Sequence, residues 1–191
     1  MITLAEMTVR LSGAAGRFRQ AVEQELRATA LEMQAQAQAN ATQRMRRRTG
    51  DLLRSIVGRV EEQGSSLELV LGVRKDLGYP WLQEQGGTIT PKRGRFLAIP
   101  TGPALTGAGV HRYSSPRDVP GLRYQSIRGG AMGLLVRDVP GRRARSEIYY
   151  ILVRRVTIKP KHYLRDAYTE GTQGLNDRLR ARFESIIQGG V

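Results

Sequence analysis

The sequence predicts an α+β fold: a long N-terminal helix, an antiparallel β-sheet carrying a long Gly/Pro-rich loop, and a C-terminal helix packed on the sheet. Three observations predict it. Phe18, Val22, Leu26, Thr29, Met33, Ala37 and Ala41 recur at spacings of three and four, the period of a helix. The middle of the chain consists of short β-rich runs cut by glycine and proline, ending in 148–158, IYYILVRRVTI. A second helical stripe follows Pro160: Tyr163/Leu164, Tyr168, Gly171, Leu175, Leu179, Phe183 and Ile186/Ile187.

At 191 residues the chain can bury one solid core, so a single domain over 1–191 with a long excursion is expected. Residues 1–16 alternate weakly (Ile2, Leu4, Met7, Val9, Leu11) before Gly13 and Gly16 and read as a short arm or strand. Residues 17–48 read as the long helix, ~45 Å over its core at 1.5 Å per residue. Its run 34–40, QAQAQAN, alternates by eye, but Ala and Gln favour helix over strand. The apolar face thins from Phe and Leu to Ala, which suits close packing against another helix, such as one from a neighbouring subunit, and equally allows solvent exposure at the far end.

Four arginines, Arg44, Arg46, Arg47 and Arg48, crowd the predicted helix end, where cations complement the negative end of the helix dipole. Thr49-Gly50 is a stop, and Thr49-Gly50-Asp51-Leu52 turns helix into sheet. The sheet spans 56–158. Residues 56–62 and 67–73 form a hairpin around 63–66, with Leu67, Leu69, Leu71 and Val73 on one face. Residues 79–87 form one helical turn or a tight loop, 88–90 and 96–100 are short extended pieces, and 133–139 is a strand. The extended loop 100–131 is rich in Gly and Pro, without apolar periodicity. Residues 148–158 are apolar on both faces, predicting a central strand, and Arg154-Arg155 marks a bulge or an overrun past the sheet's cover. The C-terminal helix spans 161–188, with a kink where Gly171 and Gly174 each weaken it by ~1 kcal/mol relative to Ala.

The net charge of +14 is unevenly spread. Residues 1–43 hold four arginines against four glutamates, so the whole excess lies beyond them. Of 31 basic residues 27 are arginine, whose planar fork suits phosphate oxygens. A polyanionic partner, nucleic acid first, is one reading; an arginine-biased coding sequence with solvated side chains is the other. The arginines fall in scattered groups (44–48, 142–145, 154–155, and 178, 180 and 182), which suits sequence-blind phosphate contact better than base readout. The eleven aromatic residues sit mostly in patterns that predict burial, and no helix-turn-helix pair or zinc finger is visible.

Enzyme chemistry finds little support, and neither a cofactor nor a metal is expected. There is no cysteine. His111 and His162 lack further ligands at metal spacing, Asp51 and Glu84 lack a partner carboxylate nearby, and Gly107-Ala-Gly109 lacks the strand and helix of a dinucleotide loop. No apolar run reaches the ~18 residues of a bilayer span, and the N-terminus does not read as a secretion signal, so no membrane partner is expected.

Three ordered motifs remain. They are Arg48-Thr49-Gly50-Asp51-Leu52-Leu53-Arg54-Ser55-Ile56, then Tyr79-Pro80-Trp81-Leu82-Gln83-Glu84-Gln85-Gly86-Gly87-Thr88-Ile89, then Pro160-Lys161-His162-Tyr163-Leu164-Arg165-Asp166-Ala167. In order and spacing the chain resembles the tail-completion, or head–tail joining, proteins of tailed bacteriophages over about residues 17–187. Tyr79-Pro80 departs from the small residue usual there, and the excursion 100–130 is longer than in compact members.

The resemblance implies a structural virion protein of the neck or tail, assembled in the host cytoplasm. It implies a homo-oligomeric ring, typically hexameric, that meets tail tube, terminator, stopper and portal and lets double-stranded DNA pass through its lumen. A tail terminator, or another basic DNA-associated phage structural protein, is the alternative, and a free nucleic-acid-binding protein the third reading. The residues expected to face DNA or a partner are Arg44, Arg46, Arg47, Arg48, Arg142, Arg143 and Arg145. Those expected to serve the motifs or subunit contacts are Thr49, Gly50, Asp51, Leu52, Glu84, Gly86, Gly87, Pro160 and Leu164, with Asp51 as a first-turn helix acid and Glu84 as an inter-subunit salt-bridge candidate.

Overall fold

The computed structural model describes residues 4–45, 49–64, 66–74, 77–139 and 145–188, with side chains of the first helix from Ala15 onward. In chain order the elements are α1 (Leu4–Arg44), α2 (Asp51–Ser55), β1 (Ile56–Gln63), β2 (Ser66–Val73), α3 (Pro80–Gln85), β3 (Gly87–Ile89), β4 (Leu97–Pro100), β5 (Arg123–Ile127), β6 (Met132–Asp138), β7 (Ser146–Val153), β8 (Val156–Ile158), α4 (Tyr163–Thr172) and α5 (Leu175–Ile187). The mixture is α+β, with a long first helix, antiparallel sheets and a helical C-terminus. The chain divides into two compact units: Met1–Met45, Asp51–Pro80 and Lys161–Val191 form the first, Arg46–Gly50 and Trp81–Pro160 the second.

The first unit is built on α1, 41 residues and about 60 Å long at the standard rise. The expected stripe is its buried face: Leu26, Thr29, Ala30, Met33, Ala37, Asn40 and Ala41 are all buried. The helix runs back to Leu4 where alternation had suggested an arm. Leu4, Met7 and Leu11 also fit spacings of three and four, so the pattern was ambiguous, and the Ala-rich continuation decides it. At the other end α1 stops at Arg44 instead of residue 48.

The alanine half of α1 is covered within the chain. Tyr163 and Ala167 of α4 pack with Ala37, Ala41 and Ile56 in one fully buried cluster, ringed by Met45, Leu52, Leu53, Leu71, Val73 and Leu164. A neighbouring subunit is therefore not needed to bury this face. Small side chains on α1 let the Tyr163 ring fill the space between helix and hairpin. The hairpin pairs in full register from Ile56↔Val73 to Gln63↔Ser66. Gln34 Oε1 accepts from the Gly58 amide at 2.8 Å, tying β1 to the helix.

The C-terminal helix breaks, as its glycines suggested. Gly174 takes φ 73° and starts α5, while Gly171 stays inside α4 and lies against the Met33 side chain. On α5, Phe183 meets Phe18 edge-to-face at 4.9 Å, and Arg178 donates to Glu25 (2.6 Å) and Thr29 (3.2 Å).

The second unit holds a four-stranded antiparallel sheet of order β4-β7-β6-β5 and a two-stranded one, β3-β8. The run 148–158 is thus two strands in two sheets: β7 is central as expected, and the chain leaves its sheet at Arg154-Arg155 to become β8. Two adjacent cations cannot both be buried in a sheet interior, so the strand ends there.

The expected loop 100–131 carries structure of its own. Residues 123–127 form β5, paired with β6 from Arg123↔Val136 to Ile127↔Met132. Edge strands need no buried alternation, and four of its five residues are exposed, so apolar periodicity could not reveal it. Short 3₁₀ turns lie at Gly102–Ala104 and Pro116–Asp118, the second closed by a capping box between Ser115 and Asp118. Ala104 and Val119 from this segment bury against Tyr149 and Tyr150, with Tyr113, Leu122 and Leu135 around them.

Candidate functional site

Gly50 is buried and takes φ 81°, a left-handed turn open to glycine, and the chain enters α2 at the next residue. Asp51 is the acid of the first turn of α2, as expected, and accepts from Arg54 Nη2 at 2.5 Å. Thr49 is exposed. Leu52 and Leu53 join the cluster around Tyr163, and Ser55 Oγ donates to the Leu52 carbonyl at 2.7 Å.

In the third motif Tyr163 is fully buried and Leu164 half-buried against the same cluster. Arg44 locks this segment from α1. Its Nη1 donates to the Lys161 carbonyl (2.8 Å), the His162 carbonyl (3.2 Å) and Asp166 Oδ2 (2.7 Å). Arg44, expected to face DNA or a partner, is half-buried here and spends these donors within the chain, because the last turn of α1 passes beside the backbone that leads into α4. His162, at φ 50°, occupies the N-cap of α4.

Hydrogen bonds from Arg44 hold the Asp166 carboxyl below the usual carboxylate range, with Arg165 helping. A lowered folded pKa means that the native state binds fewer protons than the unfolded chain. This stabilisation is complete above the ordinary Asp value near 4 and is lost as pH falls through the folded value. Arg44→Met should cost about 1–2 kcal/mol through the two carbonyls left without their donor. It should also flatten the acid side of the stability–pH curve, which thermal melts between about pH 3 and pH 7 would read.

In the second unit, Gly86 (φ 71°) and Gly87 (φ 154°) connect α3 to β3. A Cβ on Gly86 would stand 2.8 Å from the Ile158 carbonyl oxygen and from the nitrogen and Cδ of Pro160. Gly86 thus serves close packing against Pro160 and the end of β8, while a Cβ on Gly87 would stand 2.8 Å from Leu82 Cδ1. Glu84 is buried, 5% exposed, so it offers little surface to another subunit. Trp81, one position into α3, is 71% exposed. Much of the motifs is internal support, and among the large side chains they expose are Trp81 and Tyr79.

Of the remaining arginines, Arg46, Arg47, Arg48, Arg142 and Arg143 lie outside the described residues. Arg145 is exposed just before β7, and its carbonyl accepts from the Val139 amide at 3.1 Å. Beside it Arg123 donates to Asp138 (3.1 Å) and to Ser146 (3.1 Å), and Ser146 donates to Asp138 (2.6 Å). These bonds lace β5, β6 and β7 together, lowering the Asp138 carboxyl's pKa and raising that of the Arg123 guanidinium.

A second basic group is assembled by strand pairing. Ile89 pairs with Val156 and Leu97 with Val153, so the β3–β4 connection lies opposite the β7–β8 connection. The first carries Lys92, Arg93 and Arg95; the second is Arg154-Arg155. All five are exposed, neither segment contains a carboxylate, and Arg95 stacks over the Phe96 ring at 5.7 Å. Five cations on segments almost sixty residues apart become neighbours only through strand pairing.

Charge is also divided between the units. The second holds 17 basic and 4 acidic residues, a net +13, and the first 14 against 13, a net +1. An open groove of about 500 Å³ lies in the first unit between α1 (Gln38, Ala39, Thr42, Gln43) and α2 (Leu53, Arg54). Among the described residues no His/Asp/Glu group is arranged to hold a metal ion, and no helix is long and apolar enough to cross a membrane.

Residues 5–86 match the family model described as "Bacteriophage HK97-gp10, putative tail-component". The matched span runs from α1 through α2 and the β1–β2 hairpin to α3, and so includes the first motif and most of the second. No curated protein and no solved structure matches significantly.

Proposed function

We propose, from the likeness of residues 5–86 to a phage tail component, that this protein is a structural virion protein of the neck or tail-completion region. Both compact units act together in it as one tail-completion-like protein. Copies of the chain form a homo-oligomeric ring, hexameric by the resemblance, that joins the tail to the head connector around the path of the DNA. Its neighbours are the tail tube, the terminator, and the stopper or portal.

The observation that carries this reading is the family match, because it covers the first of the ordered motifs and most of the second. Two features agree with it. A net +13 concentrated in one unit suits the neighbourhood of DNA. An exposed tryptophan within the matched span suits a contact with another subunit.

Light scattering and negative-stain imaging of the purified protein, alone and mixed with the neighbouring neck proteins, test it. Rings, or assembly dependent on a neck protein, are expected; a persistent monomer that ignores those proteins would sink the reading. Because Trp81 is the only tryptophan, its fluorescence should shift to the blue as copies assemble. Trp81→Ala should weaken assembly at least tenfold and leave the unfolding free energy of the separated subunit within about 0.5 kcal/mol of the parent.

A further inference from the structure

The five-cation group at the β3–β4 and β7–β8 connections has the composition of a phosphate-binding surface. Lys92, Arg93, Arg95, Arg154 and Arg155 are exposed, and none has a carboxylate within its own segment. Around them stand Thr90, Pro91, Gly94 and the half-buried Phe96. A protein–protein interface of ordinary type depletes charge at its centre and fills it with apolar and aromatic side chains. This group does the reverse. Four of its five cations are arginine, which binds phosphate oxygens through two parallel N–H donors.

The placement also matters. The group stands at one end of β7, and Arg145 stands at the other. Eight residues of strand separate them by about 25 Å. Cations spread over that length, without aromatic platforms between them, suit the backbone of a duplex better than stacked single-stranded bases.

We propose that the β3–β4 and β7–β8 connections form one sequence-blind phosphate-binding rim for duplex DNA, contacted by Lys92, Arg93, Arg95, Arg154 and Arg155. The rim deepens the reading of a protein through which DNA passes and rests on it for the identity of the polyanion.

Binding of the full chain to a mixed-sequence duplex, followed by fluorescence anisotropy from 50 to 200 mM salt, tests the rim. The variants are Arg93→Ser/Arg95→Ser and Arg154→Ser/Arg155→Ser, against the charge-matched control Arg17→Ser/Arg180→Ser, which changes exposed arginines of the nearly neutral unit. Each rim pair should weaken binding about tenfold at 100 mM salt and make the log–log salt slope shallower by about 1 to 2, equally for unrelated sequences. The control pair should do much less.

Equal losses in rim and control variants would show that diffuse net charge alone binds DNA and would overturn the proposal. So would unchanged binding in both rim variants. If poly-glutamate binds wild-type protein more tightly than the duplex at matched charge, and the rim variants lose that binding, the rim serves an acidic protein and the proposal also falls. Light scattering of the same samples reads assembly separately. A monomer that binds duplex through the rim would remove the ring and keep the rim; a ring whose DNA affinity ignores these residues would do the opposite.

Discussion

Gly58→Ala is expected to destabilise the first unit by about 3 kcal/mol, more than most single-methyl additions. A Cβ at this position would stand 2.1 Å from the Ala30 carbonyl oxygen and 2.9 Å from its carbon. Both are backbone atoms of α1, so no rotamer change can make room. The strand would have to move away from the helix, and moving it strains the 2.8 Å bond from the Gly58 amide to Gln34. Overpacking of a tight site typically costs 1–3 kcal/mol, and a clash with backbone belongs at the upper end. Urea unfolding of the purified variant measures it. A midpoint equal to that of the parent would mean that β1 and α1 separate easily, and the close approach would lose its structural meaning.

Tyr163→Ala is expected to cost about 3–5 kcal/mol, because the whole ring is buried among Ala37, Ala41 and Ile56. The alanine surfaces around it are too small to collapse into the space. The hydroxyl contributes less, since its bond to the Pro80 carbonyl is long at 3.5 Å. Tyr163→Phe should therefore keep most of the stability, within about 1 kcal/mol. A Phe variant as unstable as the Ala variant would transfer the weight from packing to the hydroxyl. Thermal melts of the two proteins side by side separate these outcomes.

Both positions bear on what the sequence could disclose. The stripe from Leu26 to Ala41 was legible because one helix face is buried along its length, and burial prints a period on the sequence. The hairpin was legible for the same reason, through Leu67, Leu69, Leu71 and Val73. Gly58 was not: a glycine required by a crossing helix looks the same in sequence as any other glycine in a strand. The division of 148–158 into two strands of two sheets was likewise hidden, because an apolar run shows burial without showing which neighbour supplies it.

The candidate site was legible in part, for similar physical reasons. Charge in one segment is visible, so 44–48 and 142–145 drew attention. Charge assembled by pairing is not, so Lys92, Arg93 and Arg95 were separated from Arg154 and Arg155 until the register Leu97↔Val153 joined them. Arg44 shows a second limit of sequence. Its place in a basic run suggested an outward role, and its three acceptors, two of them backbone carbonyls that no sequence pattern marks, turn it into an internal brace.

The unequal charge of the two units has a consequence for how copies of the chain can crowd. A surface with 14 cations and 13 carboxylates can sit against its own kind with little electrostatic cost. A surface with 17 against 4 cannot; neighbouring copies of it repel until counter-ions or a polyanion screen them. Salt therefore has two opposed effects on the second surface, easing the approach of copies while weakening the proposed contact with DNA. In the proposed complex, DNA itself would supply the neutralising charge without that loss. Under the proposed role, duplex DNA would be the partner whose arrival lets copies of this chain pack closely at little electrostatic cost.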